Sequence, residues 1–331
     1  MTDKTEQDYK TEMVSCLPAV LPPGGRAALS LVHPDIVAKS YCCGLRYPNL
    51  LDGIRVLSLG CGFVRDCFVL SKLIGQEGSV VGVDPNDHVI SFCESFLDYH
   101  RKASGFSEDN VKLVKCEAEG LVDAGLRKDH FDLICFNTVL GLTPKKREIL
   151  GQLGQVLKTG GEVFFTEMVA NSRVRDEVKE DPSLWGEGLA GAFYSQDLVS
   201  MARECGFTTP RLVQSTDMRI KAPELDMFIG GVKFSMATYR MFKLPPGQIE
   251  QQAAVVYTLQ PANGIANDLK FDAWNAFKLG EPVRVDPEMA AIFCRSRFSS
   301  VFKTAASDKE ARVMKPCPTN PFEVKQPDEM M

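Results

Sequence analysis

The sequence predicts an α/β protein, with a doubly wound parallel sheet followed by a C-terminal α+β region. Three observations lead there. An apolar run from Val56 to Leu59 enters Gly60-Cys61-Gly62, and a helical pattern starts near Arg65. A second apolar run from Ser79 ends on Asp84, about twenty residues past the glycines, which is the spacing of a nucleotide-binding crevice. Apolar runs and helical patterns then alternate to about residue 170, as parallel strands joined by crossover helices require.

The elements follow in order. Pro18, Pro22, Pro23, Gly24 and Gly25 break any helix in the first 30 or so residues, so this arm is expected to be loosely ordered. A helical approach leads to Tyr41-Cys-Cys-Gly-Leu45. Beyond Asp84, Asn86 or Asp87 can cap a helix running through Phe92, Phe96 and Tyr99. Val111 to Lys115 reads as the third strand, and Phe131 to Asn137 as a fourth, buried one. Pro144 opens a helix expected to close at Gly160-Gly161, and Glu162 to Thr166 is the fifth strand. The texture then changes. The segment from Trp185 to Tyr194 precedes a helix capped by Ser195 and ending at Gly206. After Lys221 come β-like runs at 232–242, 253–259 and 269–277. The tail from Ala305 is polar and Pro-bearing, and is expected to be mobile. The predicted divisions are an N-terminal arm and helix (1–45), a ligand-binding sheet domain (46–170), a substrate-binding region (171–245) and a C-terminal α+β subdomain with its tail (246–331).

Composition excludes several classes. The 331 residues include 38 basic and 43 acidic side chains, a net charge of −5, and no basic block. Nucleic acid and anionic membrane are therefore not expected partners. No apolar run approaches the roughly 18 residues of a membrane span. The first eight residues are polar and mixed in sign, without an apolar signal core. A cytoplasmic location is expected, with most of the 11 cysteines reduced. There is no C-x-x-C and only 4 histidines, so no metal site is expected.

The glycine turn carries the chemistry. Gly60 and Gly62 let backbone approach a ligand with no Cβ in the way. Asp84 can accept hydrogen bonds from both hydroxyls of a ribose. A pyrophosphate ligand would want a third glycine opening the helix, and that position is Arg65. A ligand without pyrophosphate, such as S-adenosylmethionine, fits better.

Tyr41-Cys-Cys-Gly-Leu45, Leu59-Gly-Cys-Gly62 with Arg65-Asp-Cys67, Leu97-Asp-Tyr-His100, Leu184-Trp-Gly-Glu187 with Gly191-Ala-Phe-Tyr194, and Ser296-Arg-Phe298 carry a likeness running from about residue 28 to the tail. In these the chain resembles the arsenite methyltransferase family, S-adenosylmethionine enzymes with a Rossmann-like methyltransferase sheet. The resemblance implies S-adenosylmethionine as cofactor. It implies that Tyr41 packs on the cofactor and that Gly60 and Gly62 line its methionine moiety. Asp84 would take the ribose, Glu119 the adenine, and Asn137 would lie beneath the sulfonium. Trp185 and Glu187 would line the substrate pocket. Two positions depart from the family, which has Asp at 58 and Gly at 64 where this chain has Ser58 and Val64. Either change is expected to weaken cofactor binding, by about 1 kcal/mol or more.

A further departure concerns the acceptor. Trivalent arsenic is soft, and thiolates are the ligands that match it. The resemblance implies four family thiols. Cys16 and Cys43 match two of them, a pair implied to act in thiol relay. Thr138 and Thr208 stand where the resemblance places the other two, the direct arsenic clamp. A threonine hydroxyl is hard and stays protonated, so it cannot replace a thiolate. Cys135 and Cys205 each lie three residues earlier. On a helix that shift keeps Cys205 on the same face, whereas on a strand it turns Cys135 into the packing. Three readings follow: a methyltransferase for a small acceptor other than arsenite, such as a thiol, selenium species, sulfide or amine; an arsenite methyltransferase with a rearranged thiol site, served by a small thiol reductant; and a non-catalytic binding module.

Overall fold

The computed structural model describes residues 24–40, 46–220, 222–247, 252–258, 268–305 and 311–324. Short helices α1 (Gly25–Ser30) and α2 (Pro34–Lys39) lead to β1 (Arg55–Leu59), α3 (Arg65–Ile74) and β2 (Ser79–Asp84). Next come α4 (Asp87–Glu94), α5 (Leu97–Ser104), β3 (Val111–Lys115), β4 (Phe131–Asn137), α6 (Lys146–Val156) and β5 (Leu157–Ala170). Val56 on β1 pairs in parallel with Val80 on one side and Leu133 on the other. The chain thus steps outward from β1 in both directions, and the C-terminal ends of β1 and β4 frame the switch-point crevice.

The sheet does not stop at β5. After α7 (Asp176–Lys179) and α8 (Pro182–Gly186) come β6 (Phe193–Tyr194), α9 (Ser195–Glu204), β7 (Arg211–Met218), α10 (Pro223–Ile229) and β8 (Phe234–Phe242). The strand order is β3-β2-β1-β4-β5-β8-β7, with β6 also on β5. Antiparallel β8 pairs with β5 from Glu162 to Ala170. This corrects the division expected near residue 170, because the segment 171–242 completes the same sheet. Phe136, Phe165 and Tyr239 stack across β4, β5 and β8 at 5.0 and 5.8 Å, a ring ladder that buries one face.

Local expectations hold for β2, β3, β4 and the start of α3, and change at several other elements. Asn86 caps α4, accepting from His88 N and Val89 N, but the helix breaks at Ser95–Phe96 before α5. The helix after Pro144 ends at Val156 rather than Gly160, because Gly160, with φ 84°, is a kink inside β5 and not a stop. Ser195 is the first residue of α9, and Tyr194 is its cap.

The C-terminal unit has β9 (Ala253–Tyr257), the hairpin β10 (Asp268–Lys270) and β11 (Ala276–Lys278), β12 (Pro282–Val285), α11 (Pro287–Arg295), β13 (Phe302–Thr304) and β14 (Arg312–Val313). The run expected as one strand over 269–277 is this hairpin, turned at Asp272, whose carboxylate accepts from Trp274 N and Asn275 N. Phe271, Phe277, Phe293, Phe298 and Phe302 fill its core, with Phe293 stacked on Phe302 at 3.8 Å. The tail expected to be mobile is anchored over 311–324: β14 pairs with β12, Leu212 N donates to Pro318 O, and the Tyr239 hydroxyl donates to Thr319 O.

A buried ion cluster joins this unit to the sheet. Glu162 of β5 is fully buried; its Oε1 accepts from Arg240 of β8 at 2.6 and 2.8 Å, and its Oε2 from Arg297 at 2.6 Å. Arg297 also donates to Asn49 O and Leu50 O, and Arg240 to Phe271 O.

Candidate functional site

The turn after β1 needs left-handed backbone at Gly60, Gly62 and Val64, whose φ values are 61°, 50° and 53°. A Cβ on Gly60 would stand 2.6 Å from Val139 Cγ2, so only bare backbone lets the turn meet the loop after β4. A Cβ on Gly62 would meet nothing within 4 Å among the described residues, so on that side its backbone leaves room for a ligand. Val64 carries strain of about 1–2 kcal/mol as a β-branched residue in this region. Full burial of its side chain in the cluster with Cys67 and Phe68 offsets this by about 1.5–3 kcal/mol.

Asp84, at the tip of β2, holds the turn. Its Oδ2 accepts from Gly62 N and its Oδ1 from Asn86 N, both at 3.0 Å. A carboxylate offers about four lone-pair directions, which leaves about two for ligand hydroxyls. Glu119 lies in the single 3-10 turn after β3, half-buried and 3.8 Å from Lys145 Nζ. Asn137 ends β4, with its Nδ2 3.5 Å from Asp66 Oδ2. Gly60, Gly62, Asp84, Glu119 and Asn137 thus stand together at the C-terminal ends of β1 to β4. Tyr41, Cys43 and Cys16 lie outside the described residues.

Ser58 pairs in register with Cys135, and both line a cavity of about 50 Å³ with Tyr47, Asp66 and Asn137. The Tyr47 hydroxyl is buried there without a hydrogen-bond partner among the described residues, and burial pushes its pKa well up. Burial does the same to the Cys135 thiol, which stays neutral.

The opposite wall is built from β4, β5 and the segment before α9. Asn137 pairs with Thr166 on β5, and β6 pairs with Val169 and Ala170 beyond it. Residues leading into β6 therefore sit past the tip of β4. Thr138, with φ 53°, donates from its hydroxyl to Asn137 O at 2.8 Å. Trp185 on α8 donates from Nε1 to Lys179 O at 2.8 Å, and Glu187 caps α8, half-buried.

A Cβ on Gly191 would stand 1.9 Å from Gly141 O and 2.8 Å from the Trp185 ring, so the two segments touch through bare backbone. Gly191→Ala should therefore destabilise the fold by about 1–3 kcal/mol. Urea denaturation checks this, and an unchanged midpoint would mean the segments are not docked.

Two charged residues that sequence reasoning passed over complete this wall. Glu167 is fully buried on β5 and accepts from Leu140 N at 2.7 Å and Gly141 N at 3.1 Å. Burial raises its pKa to about 7 against those bonds and the pull of Lys146. Lys146 Nζ donates to Leu140 O at 2.6 Å and Thr143 O at 2.8 Å, and lies 5.5 and 5.2 Å from the ring centres of Trp185 and Phe193. Burial lowers its pKa to about 8.

The structure corrects the expectation for Thr208. Its N–H donates to Phe242 O and its hydroxyl accepts from Phe242 N. Phe242 pairs with Glu162, whereas Asn137 pairs with Thr166, four positions along β5. At roughly 3.3 Å per residue, Thr208 lies about 13 Å down the sheet from the tip of β4, with β5 and β8 between. Its backbone and hydroxyl are used in pairing with Phe242, and among the described residues it does not stand beside Thr138. Cys205 does not compensate, because its Sγ lies 4.0 Å from Arg147 O, in the seam with α6.

Known proteins share this architecture. A methyltransferase-domain family model matches residues 50–206, and an arsenite methyltransferase C-terminal domain model matches residues 250–330. The arsenite methyltransferase of Rattus norvegicus is 38% identical over 299 residues, spanning 90% of this chain and 81% of that protein. That of Aquipseudomonas alcaligenes is 40% identical over 260 residues, 77% of this chain and 73% of the relative. The crystal structure of an arsenic(III) S-adenosylmethionine methyltransferase from Chlamydomonas reinhardtii superposes with a TM-score of 0.81 at 33% identity, covering 89% of this chain and 99% of that one.

Proposed function

The chain belongs to the arsenite methyltransferase family, and on that premise we propose that its crevice passes a methyl group to a small, soft nucleophile that no protein thiolate clamps at the tip of β4. It is an S-adenosylmethionine-dependent methyltransferase. When bound, the cofactor supplies an electrophilic sulfonium methyl group. Bare backbone at Gly60 and Gly62 suits the methionine moiety. The lone pairs of Asp84 not used by Gly62 N and Asn86 N suit the ribose hydroxyls. Glu119 suits the adenine, Asn137 the sulfonium end, and Tyr41 would pack on the cofactor. Cys16 and Cys43 would be a thiol pair serving turnover with a small thiol reductant. Trp185 and Glu187 would wall the acceptor.

Thr138 carries the acceptor assignment. Its hydroxyl is turned onto Asn137 O, and the thiol behind it, Cys135, is kept neutral by burial. Neither offers trivalent arsenic a thiolate. A thiol, sulfide, selenium species or amine needs no such ligand. A cytoplasmic location belongs to the same proposal; among the described residues no helix is long and apolar enough to cross a membrane.

Calorimetric titration with S-adenosylmethionine and S-adenosylhomocysteine comes first. Micromolar binding is expected, and the absence of heat and of thermal stabilisation would favour a non-catalytic module. Thr138→Cys should then raise arsenite turnover about tenfold or more, equivalent to ~1.4 kcal/mol. A wild-type rate on arsenite already equal to that of Thr138→Cys would overturn the acceptor assignment. Arsenite methylation using Cys43 with a bound small thiol is the second reading, favoured by the arsenite activity for which the relatives are named. It requires Cys43→Ser to abolish turnover.

A further inference from the structure

The loop from Thr138 to Thr143 reaches past the tip of β4 with almost no regular structure of its own, only one 3-10 turn over Leu140–Leu142. Its peptide groups are taken instead by two charges, the buried Glu167 and the half-buried Lys146. Glu167 accepts from two of its N–H groups, and Lys146 donates to two of its carbonyls. Leu140 is held by both, through its N–H to Glu167 and its carbonyl to Lys146. The same ammonium lies against the rings of Trp185 and Phe193, on the segment that faces the loop. A Cβ on Gly141 would stand 3.0 Å from Glu167 Oε2, so carboxylate and loop backbone are already in contact.

We infer that Glu167 and Lys146 are positioning residues: together they set the loop after β4 and Trp185 as one wall, and so fix where the acceptor stands. This rests on the methyltransferase reading above. Neither residue need touch the cofactor or the acceptor.

The pair is poised by its surroundings. The leading charge acting on each member is the other. Neighbouring charges are engaged elsewhere: Lys145 with Glu119, Arg147 with Glu204, and Asp197 of α9 with Arg173. Glu187 after α8 also has a partner of its own. Glu167 ionises as the pH rises through about 7, and Lys146 loses its proton as the pH rises through about 8. The doubly charged pair, which holds the wall best, is most populated between those two values.

The test needs no acceptor. Trp185 and Trp274 are the two tryptophans, so Trp274→Phe leaves Trp185 as the sole reporter beside Lys146. Its fluorescence should titrate with one midpoint near 7 and one near 8. Glu167→Gln should remove the lower midpoint. Lys146→Met should remove the upper one and move the lower to higher pH, because the cation favouring the carboxylate is gone. A flat titration, or one unchanged by both substitutions, overturns the inference.

With arsenite plus glutathione, and with a thiol acceptor, kcat of either variant should fall about a hundredfold, as misplacement by about 1 Å does. S-adenosylhomocysteine affinity should fall far less than kcat, by about tenfold at most, since Asp84 and Gly62 are untouched and the loop meets the glycine turn through Val139 at Gly60. Loss of that affinity in step with kcat would mean a general structural role and would overturn the inference. If the wild type turns over neither acceptor, the acceptor reading fails while the Trp185 titration still decides the wall.

Discussion

Glu162→Ala should lose about 3–5 kcal/mol of folding stability, the cost of leaving a buried charge without its partner. Here two charges are stranded. Arg240 and Arg297 each place their strongest contacts on this one carboxylate, and they are 1% and 8% exposed. The stacking of Arg240 on Phe271 and Phe298, at 4.1 and 4.8 Å, retains part of the favourable energy of one cation, about 2 kcal/mol. It does not supply the missing negative charge. The loss also spreads, because Arg297 holds Asn49 O and Leu50 O ahead of β1, and Arg240 holds Phe271 O in the C-terminal core. Against a typical total of about 5–15 kcal/mol, this is a large share of the whole fold. Glu162→Gln keeps the shape and should still lose more than Arg297→Met, which removes one cation and leaves the Glu162–Arg240 pair. Urea denaturation of the three variants checks the order. A loss below about 1 kcal/mol for Glu162→Ala would mean that water reaches the cluster.

That cluster had no signal in the sequence, and the reason is separation. Glu162 and Arg297 stand 135 residues apart, and nothing local to Ser296-Arg-Phe298 says which carboxylate it meets. What was legible was local. β3 and β4 begin and end where their apolar runs do, and the Asn86 side chain caps α4 as its position predicts. The glycine turn and Asp84 could be read because both meet at one sheet edge by topology alone. β5 was read short because Gly160 resembles a helix stop until the sheet supplies a partner for the residues before it. Thr208 was misplaced because its distance along the chain from a helix end says nothing about which end of the sheet it reaches. Glu167 did leave a trace: an acid inside the apolar run from Val163 to Val169 has to be buried, and a buried carboxylate needs donors. Lys146, one of three successive basic residues, left none.

Asp84→Ala should weaken S-adenosylmethionine binding by about two orders of magnitude, close to 3 kcal/mol, the worth of two hydrogen bonds to a charged acceptor. Asp84→Asn keeps one acceptor oxygen and should lose about tenfold. The carboxylate has a second duty, however, because it also ties Gly62 N to Asn86 N across the crevice. Its removal could weaken binding by freeing the glycine turn rather than by losing the ribose. The two causes separate with a ligand lacking the ribose hydroxyls. Against the wild type, a 2′,3′-dideoxy analogue of S-adenosylhomocysteine should bind about a hundredfold more weakly than the parent. Against Asp84→Ala, parent and analogue should bind alike, because the acceptor that told them apart is gone. The coupling in this cycle measures the hydroxyl contact free of any change in the turn. If the analogue is still penalised in Asp84→Ala as in the wild type, another group holds the ribose, and Asp84 serves the crevice by holding Gly62 in place.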